Sequence, residues 1–277
     1  MENKKEFHSI IKPIQGWQSI NFDEILLYKD LAYFLVWRDI KARYAQSILG
    51  LGWAVFRPLV SMVVFSVVFG KLAKIDSDGV PYTIFSLAAI VPWTYFSSSL
   101  TSSSSSLIGS KNMMTKVYFP RLILPIVPSI SKLVDFIISF SVLVIMLYAY
   151  GFYLSIEIIF LPLLILLMFL CSSGLGMWIT SISLQYRDIN FAKGYFIQLL
   201  LYVAPVVYPA SSVPDNFRLI YGIFPMAGVI EGFRSILLKT NSMPWDLIIV
   251  GSIFSILFFI TGAFFFKRME KYIADVA

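Results

Sequence analysis

The chain has 277 residues, of which 58% are hydrophobic, 17% aromatic and only 14% charged, and its mean hydropathy is +0.79. Soluble domains carry about 25% charged and roughly 45–50% apolar residues. This composition therefore excludes a soluble enzyme domain, and equally a disordered, collagenous or coiled-coil chain. The formal net charge of +6 reads as a topology and lipid-headgroup signal rather than a nucleic-acid footprint.

Chemistry-bearing residues are sparse. Cys171 is the one cysteine and lies in an apolar run, so no internal disulfide or thiolate cluster can form. His8 is the one histidine and lies near the start. No catalytic or metal site is expected in the membrane. No signal peptide is evident, because the first apolar run comes late and acids precede it.

In chain order, residues 1–30 are mixed and charged, with Pro13 and Gly16 as breakers. Leu31–Trp37 is uncharged but bracketed by Asp30 and Arg38, too short to span. Phe22–Tyr44 around it has helical character with charges on several faces, and reads as an interfacial helix. The first span is expected from Trp53 to Gly70, with Arg57 one turn inside and able to snorkel. The second lies within the uncharged stretch Val80–Ser110. The third centres on Phe136–Tyr150 and can begin near Leu122 if Pro125 and Pro128 fall in its first turns. The fourth occupies Ile158–Leu184, the fifth Gly194–Tyr208 and the sixth Leu247–Phe266.

Six spans put both termini on one side. Arg38, Lys41, Arg43 and Arg57, then Lys111, Lys116, Arg121, Arg187 and Lys193, then Lys267, Arg268 and Lys271 all fall on that side. The positive-inside rule makes it cytoplasmic. The opposite side balances its bases with Asp76, Asp78, Glu157, Asp215, Glu231 and Asp246.

Four features carry functional readings. In the long loop after the fifth span, Asn216–Phe224 is helix-capable and stops at Pro225. Met226, Val229, Ile230 and Phe233 then recur at helical spacing, with Glu231 and Arg234 on the polar face. This re-entrant pair fits a gate on the outer side, or a helix lying passively in the interface. The second span carries Trp93, Tyr95 and Phe96 and then nine hydroxyls in Ser97–Ser106. Rings and hydroxyls suit a sugar pathway, but small hydroxylated residues equally permit close helix packing. Phe65 and Phe69 share a face of the first span, and Phe196 and Tyr202 lie in the fifth. The third feature is the basic set Arg38, Lys41, Arg43 and Arg57 ahead of the first span, whose guanidinium forks can bind phosphate bidentately. Setting topology is the plainer role for any one of these charges.

The fourth feature concerns energy. Lys132 and Asp135 form an i,i+3 pair in the third span, yet the several buried acids or histidines of a proton-coupled carrier are missing. A GxxxxGK[ST] phosphate loop is missing too. Uphill transport would draw on another subunit. Lys111, Met113, Met114 and Lys116 in one loop, and Arg187 and Asp188 in the next, are candidate docking residues for it. A solvated loop is the alternative for each.

The stretch Phe34-Leu-Val-Trp37-Arg38-Asp39-Ile40-Lys41-Ala-Arg43-Tyr44, continuing to Gln46-Ser47-Ile-Leu49-Gly50 and Trp53, resembles the entry signature of membrane subunits of polysaccharide ABC exporters. Lys116-Val-Tyr-Phe-Pro-Arg121 resembles the loop after that family's second span. Tyr186-Arg187-Asp188-Ile189 resembles its next cytoplasmic loop, and Pro225–Arg234 its outer gate helix. The resemblance runs in order over nearly the whole chain. It implies an all-α integral membrane protein with six transmembrane helices, an N-terminal interfacial helix and a re-entrant outer pair before the last span. The layout would be a single unit over 1–277: an N-terminal segment 1–52, a six-span region 53–266 and a tail 267–277. It also implies a second copy of the chain, and an ATPase partner that binds ATP and Mg, with no cofactor on this chain. The substrate implied is a lipid-linked polysaccharide, foremost O-antigen, exported across the bacterial inner membrane, with Arg38, Lys41, Arg43 and Arg57 meeting the diphosphate of its lipid anchor. The first, second and fifth spans would line the channel, with Phe65, Phe69, Trp93, Tyr95, Phe96, Phe196 and Tyr202 as its rings. Export of a lipid or small drug, and a membrane-embedded glycolipid transferase, are the alternatives. The transferase is disfavoured by the scattered acids and the peripheral His8.

Overall fold

Long apolar segments need internally satisfied backbone, and helices supply it. The computed structural model describes residues 22–45, 47–114, 116–186 and 188–276, with side chains at 22, 111, 112 and 271–276 excepted. His8, Arg187 and the side chains of Lys111 and Lys271 thus lie outside the described residues. The elements are α1 (Phe22–Leu27), α2 (Lys29–Tyr44), α3 (Gly52–Phe65, continuing as a π-helical stretch Ser66–Leu72) and α4 (Tyr82–Ser104). Next come the short α5 (Ser106–Gly109) and α6 (Lys111–Met114), then α7 (Ile123–Ala149), α8 (Leu161–Gln185) and α9 (Ile189–Val203). The last are α10 (Asp215–Tyr221), α11 (Pro225–Leu238) and α12 (Trp245–Val276).

Among the described residues five helices are long and apolar enough to cross a membrane: α3 with its π-helical continuation, α4, α7, α8 with the 3-10 turn before it, and α12; the bent pair α10 and α11, taken as one broken span, would be a sixth. α7 accepts Pro125 in its first turn and Pro128 just beyond, as expected. The fifth expected span is shifted toward the N-terminus at the same length. α9 begins at Ile189 and ends at Val203. Its 15 residues rise about 22 Å, against about 30 Å of hydrocarbon. Pro205 explains the stop: it disfavours helical geometry at the residue before it, and Ala204 is extended at ψ 146°. α12 runs through residue 267 to Val276 without a break, so the last expected span and the expected tail share one helix.

The bundle has two ends. At the proximal end lie α1–α2, the 105–122 segment, the C-terminal end of α8 and the end of α12. Leu35 of α2 joins Leu107, Phe119, Leu122, Ile123, Met177, Ala263 and Phe266 in one apolar cluster there. At the distal end the connections 73–81 and 239–244 meet, Asn241 Nδ2 donating to Asp78 Oδ2 at 3.0 Å. α4 is the most buried of the crossing helices, packed between α3, α7, α8 and α11.

Helix contacts rest on small residues. A Cβ on Gly174 of α8 would stand 2.6 Å from the Phe258 carbonyl carbon of α12. One on Gly262 of α12 would stand 2.5 Å from the Gly174 oxygen. Trp178 of α8 stacks on Phe265 of α12 at 4.4 Å and donates to Thr261 Oγ1 at 3.1 Å. The serine run of α4 serves the same purpose. Ser103 Oγ donates to the Pro125 carbonyl at 2.6 Å, and its own carbonyl accepts from Thr180 at 3.0 Å. Ser97, Ser98, Thr101, Ser104 and Ser105 donate back to carbonyls of their own helix. Close packing, rather than a sugar-facing hydroxyl stripe, accounts for most of the run.

A candidate anion site

The last turn of α2 runs against α7, and the first turns of α3 close the third side. Between them and α4 lies an open cleft of about 630 Å³. Arg43 enters it from α2, Trp53 and Arg57 from α3, Thr94 and Ser98 from α4, and Lys132 and Asp135 from α7. Asp135 is the hub. Its Oδ2 accepts from Arg43 Nη1 at 2.9 Å and from Lys132 Nζ at 3.3 Å. Its Oδ1 accepts from the Tyr44 hydroxyl. Burial, reinforced by the Asp135 carboxylate, pushes the Tyr44 phenol up to about 12, so at neutral pH it stays protonated and donates. Arg43 Nη2 also donates to Ser131 Oγ at 3.0 Å. Arg57 is exposed and sits 5.6 Å over the Trp53 ring, with no carboxylate paired to it among the described residues. Three cations thus face one carboxylate inside one cleft. The excess of two positive charges and the cluster of hydroxyls suit an anionic group with several oxygens.

The expected basic set is split by this arrangement. Arg43 and Arg57 line the cleft, whereas Arg38 and Lys41 are exposed outside it and Arg38 pairs with its neighbour Asp39 at 2.9 Å. Residues 38, 41 and 43 cannot all share a helix face. Lys132 takes the third cationic position. Its pairing with Asp135 was legible as an i,i+3 spacing. The approach of Arg43 across 92 residues of sequence was not.

The rings do not form one wall in the protomer. Trp93, Tyr95 and Phe96 are buried (8%, 2% and 0% exposed). Tyr95 donates to the Ser129 carbonyl at 3.0 Å, and Phe96 meets Phe224 edge-on at 5.8 Å. Trp93 and Phe96 pack inside the core rather than facing an open pathway, while Tyr95 borders the floor of the basic cleft. Phe65 and Phe69 meet at 5.3 Å and are half-buried, while Phe196 and Tyr202 are exposed.

The expected gate helix is also placed differently. All fourteen residues of α11 are buried, including Met226, Val229, Ile230 and Phe233. α10 meets it at 108°. α11 is wedged among α4, α8 and α12, so neither an exposed polar face nor a passive interfacial position describes it. Its presumed polar face is an internal ion pair, Arg234 Nη1 to Glu231 Oε1 at 2.8 Å. Arg234 also donates to the carbonyls of Val206 (3.0 Å) and Tyr208 (3.2 Å) and lies 3.5 Å over the Phe85 ring. Glu231 accepts from the Ala210 N–H at 2.9 Å. The pair therefore holds the irregular segment after α9.

At the proximal end, Met113 and Met114 are half-buried in the chain's own apolar cluster instead of standing out as knobs. Lys116 and Asp188 are exposed. Ile108, Val117 and Tyr118 are the exposed apolar residues of that segment.

The helices, the bent pair and the basic cleft define a multi-pass membrane protein with an anion-suited site between its first helices. Residues 31–238 match the family described as ABC-2 type transporter, and the chain belongs to that family. It is similar to the O-antigen export system permease protein RfbA of Klebsiella pneumoniae, at 25% identity over 89% of this chain and 95% of the relative. The protein of the same name from Myxococcus xanthus is 24% identical over 91% and 98% of the two chains. The polysialic acid transport protein KpsM of Escherichia coli is 18% identical over 70% and 76%.

Proposed function

We propose that this chain is the channel-forming subunit of an ATP-driven exporter of lipid-linked polysaccharide, with O-antigen the foremost candidate, and that the basic cleft receives the diphosphate of the lipid anchor. The cleft carries the reading. It gathers Arg43, Arg57 and Lys132 around a single carboxylate, beside a helix whose Tyr33, Phe34 and Trp37 are exposed as an interfacial helix requires. The names of the relatives support the polysaccharide. The proximal end is the cytoplasmic one on this reading, by the excess of Lys and Arg in its connections. Two copies pair, and the exposed rings of α9, Phe196 and Tyr202, line the route between them. The ATPase subunit, with its ATP and Mg, docks on the proximal segment around Lys116 and Asp188.

The test is the Arg43→Gln/Arg57→Gln double variant in the assembled exporter. Surface polysaccharide is expected to fall at least about tenfold, the consequence of losing two charge-assisted contacts, with the subunit still inserted and paired with its ATPase. Normal export by the assembled double variant would overturn the anchor role. Separately, Lys116→Glu is expected to weaken retention of the ATPase subunit in pull-downs while leaving membrane insertion intact. Unchanged retention would move the docking surface elsewhere.

A further inference from the structure

The cleft holds an internal anion where an external one is expected. Arg43 and Lys132 both point at one oxygen of Asp135, at 2.9 and 3.3 Å. Tyr44 holds the other oxygen, and the carboxylate is about a quarter exposed on the cleft side. A simple receptor for a diphosphate would leave these two cations free. With Asp135 in place, only Arg57 is left without a carboxylate, and it stands at the exposed rim over Trp53.

We infer that Asp135 is a built-in competitor for the lipid's diphosphate: it occupies the cation pair Arg43 and Lys132 at rest and takes them back when the head group leaves. This rests on the reading of the cleft as the anchor site. Its physical basis is a difference of charge. A diphosphate brings more negative charge and more acceptor oxygens than one carboxylate, so it displaces Asp135 from the cations. The displaced carboxylate then lies next to the incoming anion, and like charges repel. That repulsion sets the affinity below what three free cations would give. A transporter needs this, because a site that binds its cargo too tightly in every state does not release it. Arg57 makes the first contact, since it alone is available without an exchange. Asp135 is thus a specificity and positioning residue that acts through Arg43 and Lys132. Its competition also discriminates among anions: a monophosphate, with less charge and fewer oxygens than a diphosphate, competes less well for cations that a hydrogen-bonded carboxylate already holds.

The experiment uses the complete exporter in nanodiscs and measures equilibrium binding of radiolabelled farnesyl diphosphate, with farnesyl monophosphate and inorganic diphosphate as separate arms. In Asp135→Asn, which keeps the shape and removes the charge, the Kd for farnesyl diphosphate is expected to fall at least about fivefold. The monophosphate is expected to gain as much or more, so discrimination between the two narrows. Export turnover is expected to drop despite the tighter binding. Asp135→Ser serves as a second neutral variant and is expected to move affinity the same way. Unchanged or weaker binding of farnesyl diphosphate in an assembled neutral variant would overturn the competitor role. So would failure of both neutral variants to assemble, because the carboxylate would then be structural. Arg43→Gln separates the two readings. If it leaves wild-type binding intact, the anchor site itself is misplaced. If it abolishes binding while Asp135→Asn fails to tighten it, the anchor site stands and the competitor falls. An inorganic diphosphate arm that tightens as strongly as the lipid arm would assign the site to the free anion rather than the lipid.

Discussion

Replacing Arg234 by Met, with Glu231 left in place, is expected to destabilise the folded protein by about 3–5 kcal/mol, the usual consequence of stranding one partner of a buried ion pair. Arg234 is fully buried and binds one carboxylate, two carbonyls and a ring face. Its loss leaves Glu231 charged inside the bundle and the Val206 and Tyr208 carbonyls without their donor. The segment after α9 loses its hold on the core. In detergent the variant should show a much lower midpoint in thermal or SDS-induced unfolding, and little of it should survive size-exclusion as a monodisperse species. Adding Glu231→Gln removes the stranded charge and keeps an acceptor for the Ala210 N–H. At least half the loss should then be recovered, because a neutral pair avoids the desolvation cost. A single Arg234→Met variant as stable as the parent would show that the pair contributes nothing net.

The second large effect is expected at the contact of α8 with α12. Gly174→Leu places its first carbon 2.6 Å from the backbone of Phe258 and Phe259, and backbone atoms cannot rotate away. The helices must separate, losing the dispersion contacts that hold apolar helices together where no hydrophobic gradient exists. Failure to accumulate in the membrane is expected. Gly174→Ala should already lower the unfolding midpoint, by the overpacking cost of about 1–3 kcal/mol. Gly194→Ala is the control. Nothing lies within 4 Å of its would-be Cβ, and alanine gains up to about 1 kcal/mol of helix propensity over glycine. An equal response at both positions would exclude close packing as the cause.

The buried position of Tyr95 and Phe96 changes what substitution there reports. Truncating large core rings to alanine costs about 3–5 kcal/mol each through lost burial and cavity formation. Alanine at these positions therefore tests assembly before it tests transport.

Length, composition and apolar runs were enough to determine the class of protein, the approximate positions of the spans and the sharing of one end by α2, the 105–122 segment and the end of α12. Each follows from local chemistry: a run of apolar residues has to be covered, and basic loops sort to one side. The same local chemistry marked Pro225 as the stop of one short helix and placed a helical pair before the last span. It also flagged Lys132 with Asp135 as a pair, since three residues is one turn of helix.

Tertiary structure decided the rest, because it depends on which helix lies beside which. Periodicity shows that α11 has an apolar face, but its polar face is covered too, since Glu231 and Arg234 satisfy each other and the backbone of residues 206–210. A serine run reads alike whether it lines a pathway or closes a helix contact; Pro125 and Thr180, both distant in sequence, make it the latter. Four nearby bases look like one cluster along the chain. In space the turn of α2 sends Arg38 and Lys41 outward and Arg43 inward, and α7 brings up Lys132 and the carboxylate that holds both.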